Sequence, residues 1–301
     1  MIIINQNKSH INIIIKEDGM NRNITLLDGA VGTSLWHYAD EAGIKNEPVW
    51  KYSIEHPELV SRLTKAYYDA GAQIIQANTF GANGPAIKRS SNYAPVDVIT
   101  ESVKIAKETL AGTDAKISLP FGPLSMLLEP YGDLEEDECA EIYDEVIGAG
   151  VKAGADLVVL ETFMDKEMMR IAATVAKKYD VPVFCSMTFE KAGKTMMGNS
   201  VQDVIDILTP IGIDAIGMNC SLGPVEALPV IKEFSEKTDI PLLFKPNAGK
   251  PILNSDGSSS APIGAEEFAQ LIKPSFEYIS YVGGCCGSDP SFIAEIKKCL
   301  S

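Results

Sequence analysis

Three of the six cysteines in this chain are arranged as metal ligands would be. Cys220 lies in the segment NCSLGP, and Cys285 and Cys286 lie side by side in GGCCG. The glycines around the pair remove side chains from its surroundings and let the backbone bend sharply. Three converging thiolates suit Zn2+ and leave a fourth coordination position open, as a catalytic zinc needs. The trio therefore predicts a zinc site rather than three ordinary buried cysteines.

The composition of this ligand set indicates what kind of chemistry the metal would support. None of the three histidines falls at the end of a predicted strand, and no HExxH motif occurs. Zinc held by thiolates alone is a poor activator of water, but it binds and deprotonates another thiol. The trio thus favours thiol activation over hydrolysis. The other cysteines are interpreted as ordinary packed residues: Cys139, Cys185 and Cys299.

Two carboxylates end predicted strands on the same side as the cysteines. Asp28 lies in LLDGAVGT and Glu161 lies in LETF. A carboxylate at the end of a buried strand is costly unless it has a partner, which favours binding of a cationic amino group over two solvated carboxylates. The backbone N–H groups of Gly29 and Ala30 would suit a carboxylate. Amine, carboxylate and sulfur sites together predict an amino acid with a thiol side chain.

The elements that must position these residues follow a regular alternation. Short, nearly continuous apolar runs, typical of parallel strands buried on both faces, alternate with amphipathic helical stretches. Eight such pairs predict a (β/α)8 barrel, an α/β fold, and the lack of a glycine-rich dinucleotide turn disfavours a doubly wound open sheet. The predicted strands are 24–28, 72–79, 116–121, 156–162, 181–188, 213–220, 241–247 and 278–285. The predicted helices are 57–70, 97–111, 133–153, 165–179, 199–211, 224–238, 264–274 and 289–300.

In such a barrel the loops after the strands gather at one end, where active sites form. The sixth and eighth strands lie next but one to each other, so Cys220 is expected close to the cysteine pair. Residues 29–71 are predicted to be an enlarged first loop, and 81–96, 122–132 and 248–262 further loops at the same end. Residues 1–20 do not fit the alternation and are interpreted as an N-terminal extension or a hairpin under the barrel, and residues 21–301 as a single domain.

Bulk properties exclude several classes of protein. The net charge of −15 repels nucleic acid and anionic membranes. No apolar stretch approaches the 18 residues of a membrane span, and no signal peptide with a cleavage site is evident. We therefore expect a cytoplasmic enzyme, in which cysteines serve metal binding or catalysis rather than disulfides.

Eight segments in order resemble the homocysteine S-methyltransferase family over about residues 24–300: LLDGAVGTSL, QANTFGAN, LLEPYGDL, VVLETF, CSMTF, IGMNCSLGP, KPNAGKP and YVGGCCG. The resemblance implies a (β/α)8 barrel with Zn2+ held by Cys220, Cys285 and Cys286. It also implies that Asn247 fills the fourth zinc position before substrate arrives, as in some relatives. The residues it implies for holding homocysteine are Asp28, Gly29, Ala30, Thr79 and Glu161.

LLEPYGDL, NCSLGP and KPNAG most resemble the homocysteine-binding module of cobalamin-dependent methionine synthases. This implies methyl transfer to homocysteine from a methyl-corrinoid, either free methylcobalamin or a separate corrinoid protein, because the sequence ends one helix after GGCCG. We expect direct displacement by the deprotonated thiol, which needs no general acid if cob(I)alamin is the leaving group. Lys250 departs from the family pattern, which usually has an apolar residue there, and would alter the rim that meets the donor.

Other functions are compatible with the same residues. S-methylmethionine or a betaine could be the donor at the same zinc site, or another thiol could be the acceptor in a corrinoid-linked pathway. A non-catalytic structural zinc protein, or a docking module for a methyl carrier, is an alternative of another class.

Overall fold

The computed structural model describes residues 23–249 and 263–301, and the backbone of 252–253 and 259–260. Residues 1–20 and Lys250 lie outside the described residues, so the interpretations of both stay predictions.

Ten strands are present in the described part of the chain. They are β1 (Thr25–Leu26), β2 (Ile74–Gln76), β3 (Lys116–Phe121), β4 (Leu157–Phe163), β5 (Val183–Met187), β6 (Ala215–Asn219), β7 (Leu242–Lys245), β8 (Ile252–Leu253), β9 (Ser259–Ser260) and β10 (Tyr281–Val282). Eight of them form one parallel sheet in the order β1-β10-β7-β6-β5-β4-β3-β2. A parallel bridge between Leu27 and Ile74 joins β1 to β2, so the sheet curls into the predicted barrel. The pair β8 and β9 is antiparallel and separate.

Helices surround this sheet. They are α1 (Val31–Glu41), α2 (Tyr52–Glu55), α3 (Pro57–Ala70), α4 (Gly84–Lys88), α5 (Pro95–Thr109), α6 (Glu136–Ala153), α7 (Lys166–Ala176), α8 (Val201–Leu208), α9 (Pro224–Lys237), α10 (Ala265–Ile272) and α11 (Pro290–Leu300). Two start signals are confirmed: prolines occupy the first turns of α3 and α9, and the Asp165 side chain accepts the Glu167 N–H to cap α7. No helix in the part of the chain described here has the length and apolarity needed to cross a membrane.

Four predictions about the elements were wrong. The predicted loop 81–96 contains α4 and the first residues of α5. The enlarged first loop contains α1, whose Leu35 and Ala39 repeat at helical spacing and are buried. Asp133 does not begin a helix, because Leu134 pairs with Leu128 as a bridge and keeps residues 133–134 in the loop. Residues 248–262 include the strand pair β8 and β9.

The core has two layers, one on each face of the sheet. The larger layer lies between the sheet and the helices, and the smaller one fills the barrel interior. The interior layer consists of Leu27, Ile74, Leu157, Val159, Phe184, Ala215, Leu243 and Tyr281. Burial on both faces explains why the strands read as continuous apolar runs.

Candidate functional site

The structure brings the three predicted cysteines together at the carboxyl end of the barrel. Cys220 directly follows β6, and Cys285 and Cys286 follow β10 after two glycines. The Sγ atoms of Cys220 and Cys286 are 3.7 Å apart, and all three sulfur atoms lie within 4.8 Å of one another. Each of the three residues is half-buried. The cluster is thus reachable from the loop end of the barrel.

The last residue of β7 and the residue after it accept hydrogen bonds from the two cysteine segments. The Cys220 N–H donates to the Lys245 carbonyl at 3.1 Å, and the Cys285 N–H donates to the Pro246 carbonyl at 2.9 Å. Cys220 itself has a left-handed backbone, with φ of 62°, which an L-residue adopts only where the surroundings enforce it. The sulfur positions therefore depend on the pairing of β6, β7 and β10.

Two glycines in YVGGCCG lie in close contact with their neighbours, Gly283 with backbone and Gly284 with a side chain. A Cβ on Gly283 would lie 2.5 Å from the Asp28 carbonyl oxygen, and one on Gly284 would lie 2.3 Å from Ser288 Oγ. The Gly284 N–H donates to the same Asp28 carbonyl at 3.1 Å. These contacts tie the cysteine loop to the LLDGA segment across the β1–β10 seam.

The three thiols titrate as one group. Hydrogen bonds from Cys285 and Cys286 lower the pKa of Cys220 to about 2. The hydrogen bond with Cys220 raises the pKa of Cys285 well above its ordinary value and that of Cys286 to about 11. Three hydrogen-bonded thiols that favour a thiolate among them suit a site for a cation.

Asn219, at the end of β6, orients the cluster and was missed in the sequence. Its Nδ2 lies 3.7 Å from Cys285 Sγ and donates to Thr162 Oγ1 at 2.8 Å, while its Oδ1 accepts the Thr162 N–H at 2.8 Å and the Ser186 hydroxyl. Thr162 has φ of 68°, so this amide holds a strained residue beside Glu161. The sequence feature that could have identified it is a polar asparagine at the end of the apolar run AIGMN.

If the three thiols hold zinc as predicted, replacing Asn219 with alanine is expected to weaken zinc binding roughly 10- to 100-fold, the usual effect of removing a group that orients a metal ligand. It also leaves buried donors without partners, which costs about 1–3 kcal/mol of unfolding free energy. Chelator competition measures the first effect and thermal melting the second. Asn46→Ala is the control, because Asn46 makes an exposed hydrogen bond to Asp40. Wild-type zinc affinity in Asn219→Ala would contradict the assignment.

The two predicted carboxylates both lie beside a buried lysine that was not predicted as a site residue. Lys245 Nζ lies 3.0 Å from Asp28 Oδ1 and 3.9 Å from Glu161 Oε2. Gln76 joins them: its backbone N–H donates to Asp28 Oδ2 at 2.7 Å, and its Nε2 donates to Glu161 Oε2 at 2.9 Å. All four residues are buried. The signal for Lys245 was a single charge at the end of the apolar run LLFK.

Charge in this network is set by burial and by the ion pairs. Burial opposes the charged form of Lys245, but Asp28 and Glu161 outweigh it and raise its pKa. Burial raises the pKa of Asp28, and Lys245 opposes that effect. Burial likewise raises the pKa of Glu161, where Lys245 opposes the shift and the negative charges of Asp28 and Cys220 add to it. Glu161 thus lies within electrostatic reach of Cys220.

The remaining predicted residues lie around this network. The Ala30 N–H is donated to Ser288 Oγ at 3.2 Å, so a substrate carboxylate would have to replace that bond. Gly29 lies against Ser288, whose Oγ would be 2.8 Å from a Cβ there. Thr79 is buried and its hydroxyl donates to the Pro120 carbonyl at 2.8 Å, which leaves its oxygen free only to accept. The Asn247 amide is buried, and its Oδ1 has no hydrogen-bond partner among the described residues.

Comparisons with known proteins indicate the family of this chain. The sequence model described as Homocysteine S-methyltransferase matches residues 25–300. Methionine synthase of Mycobacterium tuberculosis is 28% identical over 307 residues, which is 94% of this chain and 25% of that protein. Methionine synthase of Mycobacterium leprae is 28% identical over 297 residues, 91% of this chain and 24% of that protein. The chain thus spans about a quarter of the length of these relatives.

Solved structures show the same fold. The metallated form of the homocysteine methyltransferase MmuM from Escherichia coli superposes with a TM-score of 0.74 at 23% identity, over 92% of this chain and 96% of that one. Its apo form gives a TM-score of 0.69 at 22% identity with the same coverage. The sequence match over nearly the whole chain, on a barrel whose loop end gathers three thiols, shows that this protein belongs to the homocysteine S-methyltransferase family.

Proposed function

We propose that this protein transfers a methyl group to the thiol of homocysteine, giving methionine, with Zn2+ held by Cys220, Cys285 and Cys286. The convergence of three sulfur atoms from two strands carries the proposal. Family membership supports the reaction, and the buried carboxylates near the sulfurs support an amino acid as the acceptor.

The donor set fits zinc. Tetrahedral zinc with Zn–S bonds of about 2.3 Å separates its sulfur ligands by about 3.8 Å, and the Cys220 and Cys286 sulfurs are 3.7 Å apart. The Asn247 side chain hydrogen-bonds the Cys220 sulfur, and its Oδ1 has no partner among the described residues, so we propose this oxygen for the fourth position before substrate arrives. When bound, zinc supplies the positive charge that makes a thiol ionise well below its ordinary pKa of about 8.5.

The chain's own residues would bind and orient the acceptor. Glu161, within the Asp28 and Lys245 network, offers negative charge for an ammonium group. Asn219 fixes the Cys285 sulfur, and the backbone around Gly29 and Ala30 is proposed for the carboxylate. Holding the thiolate in line with the methyl group converts a bimolecular encounter into an oriented displacement, which requires no proton transfer from the protein.

The donor we propose is a methyl-corrinoid, either free methylcobalamin or one carried by a separate corrinoid protein. The similarity to methionine synthases supports it. We expect zinc-loaded protein to form methionine from homocysteine and methylcobalamin, measured by chromatography. Parallel reactions contain S-methylmethionine or a betaine. Methionine from S-methylmethionine but not from methylcobalamin would overturn the donor, and no methionine from any donor would contradict the proposed function.

A further inference from the structure

Lys245 is a buried cation that lies between two buried carboxylates at unequal distances. A buried lysine needs a counter-ion, and here one cation faces two anions. With all three groups ionised, the set keeps one negative charge in excess. The distances of 3.0 Å to Asp28 and 3.9 Å to Glu161 indicate which anion Lys245 neutralises.

The hydrogen bonds also indicate that Lys245 neutralises Asp28 rather than Glu161. Both oxygens of Asp28 are occupied, Oδ1 by Lys245 Nζ and Oδ2 by the Gln76 N–H. Glu161 receives one hydrogen bond, from Gln76 to Oε2, and no donor within the described ranges reaches its Oε1. Asp28 is also less exposed than Glu161, at 1% against 7%. Glu161 therefore keeps both an oxygen and a charge for a ligand.

We propose that Lys245 is a positioning residue that neutralises Asp28 and leaves Glu161 as the single carboxylate that accepts the ammonium group of the acceptor. This rests on the proposed function and refines the expectation that both carboxylates bind the amine. It assigns Asp28 an indirect role: it keeps Lys245 away from Glu161.

The indirect role makes an unusual prediction for Asp28→Asn. Without its nearer anion, Lys245 pairs with Glu161 and cancels the charge meant for the ammonium. Adding Lys245→Met removes that cation and returns the set to one excess negative charge. We therefore expect Asp28→Asn to lose ammonium recognition. Adding Lys245→Met should restore it, although this protein differs from the wild type at two positions.

The test compares two acceptors that differ only in the amine. Zinc-loaded proteins are titrated by calorimetry with homocysteine and with 4-sulfanylbutanoate, which has the same thiol and carboxylate without the amino group. The ratio of the two Kd values measures ammonium recognition, and general damage to the site cancels from it. We expect the wild type to prefer homocysteine roughly 10- to 100-fold, the usual size of a charged hydrogen bond. Glu161→Gln and Asp28→Asn each abolish the preference, and Asp28→Asn with Lys245→Met restores it to within about threefold of wild type.

Several outcomes overturn the proposal. If Asp28 bound the ammonium directly, the double variant would stay as poor as Asp28→Asn. Wild-type preference in either Asp28→Asn or Glu161→Gln would also overturn the proposal. If the double variant fails to fold or to hold zinc, Asp28→Asn with Lys245→Gln removes the same two charges and makes the same comparison. Equal Kd values for both acceptors in the wild type would sink this inference while leaving homocysteine methylation intact. Absence of binding by either thiol would contradict the proposed function as well.

Discussion

Cys220→Ser is expected to lose most of its zinc and nearly all methyl transfer. The wild type should carry about one zinc per chain. Three thiolates share a binding free energy of about 10–16 kcal/mol, so removal of one ligand costs about 4 kcal/mol, or roughly a thousandfold in zinc affinity. A serine hydroxyl does not replace the thiolate, because it stays protonated at neutral pH and is a harder ligand. Metal analysis of the purified proteins measures the zinc, and methionine formation measures the activity.

Cys299→Ser is the matched control for this experiment. Cys299 is also half-buried, but it lies on α11 outside the sulfur cluster, and Gln270 is its hydrogen-bond partner. We expect it to keep wild-type zinc and activity. Full zinc retention in Cys220→Ser, with the folded protein confirmed by circular dichroism, would refute the three-cysteine assignment.

Gly217→Ala should produce the largest loss of stability among single-methyl changes in the barrel. Gly217 lies in β6 and pairs with Leu243 of β7. A Cβ at this position would be 1.9 Å from the Leu243 carbonyl oxygen, so the two strands must move apart. Such overpacking against backbone costs about 3 kcal/mol or more, which lowers Tm by roughly 5 °C or more in a protein of this size. Zinc affinity falls too, because the same strand pair positions Cys220 and Lys245.

Gly32→Ala adds the same methyl group where it meets nothing. No atom lies within 4 Å of a Cβ at Gly32, which is in α1, and alanine favours a helix by about 1 kcal/mol over glycine. This control should melt at the wild-type temperature or slightly above. A Gly217→Ala protein that melts within about 2 °C of wild type and binds zinc normally would show that β6 and β7 adapt without cost.

The fold was largely predictable because its signals are local. Buried parallel strands give continuous apolar runs, and α3 and β3 lie where the pattern placed them. The predicted ends of the strands were less accurate. The predicted eighth strand, 278–285, shortens to Tyr281–Val282. After Val282, the N–H groups of Gly284 and Cys285 donate to the Asp28 and Pro246 carbonyls, which lie beyond the ends of β1 and β7. The first loop was misjudged because its glycine and polar residues hid the helical spacing of α1.

The sequence by itself determined the ligand types and the family, since thiolates, strand-end carboxylates and eight ordered motifs are readable without coordinates. Only the tertiary structure decided how the charges are shared. Lys245 and Asp28 are 217 residues apart, and their ion pair exists because the barrel closes and brings β7 and β1 to either side of β10. In a strand buried on both faces, the apolar pattern does not reveal which neighbour a polar side chain meets. For this reason Asn219 and Lys245 could be recognised as parts of the site only once the sheet order and register were known.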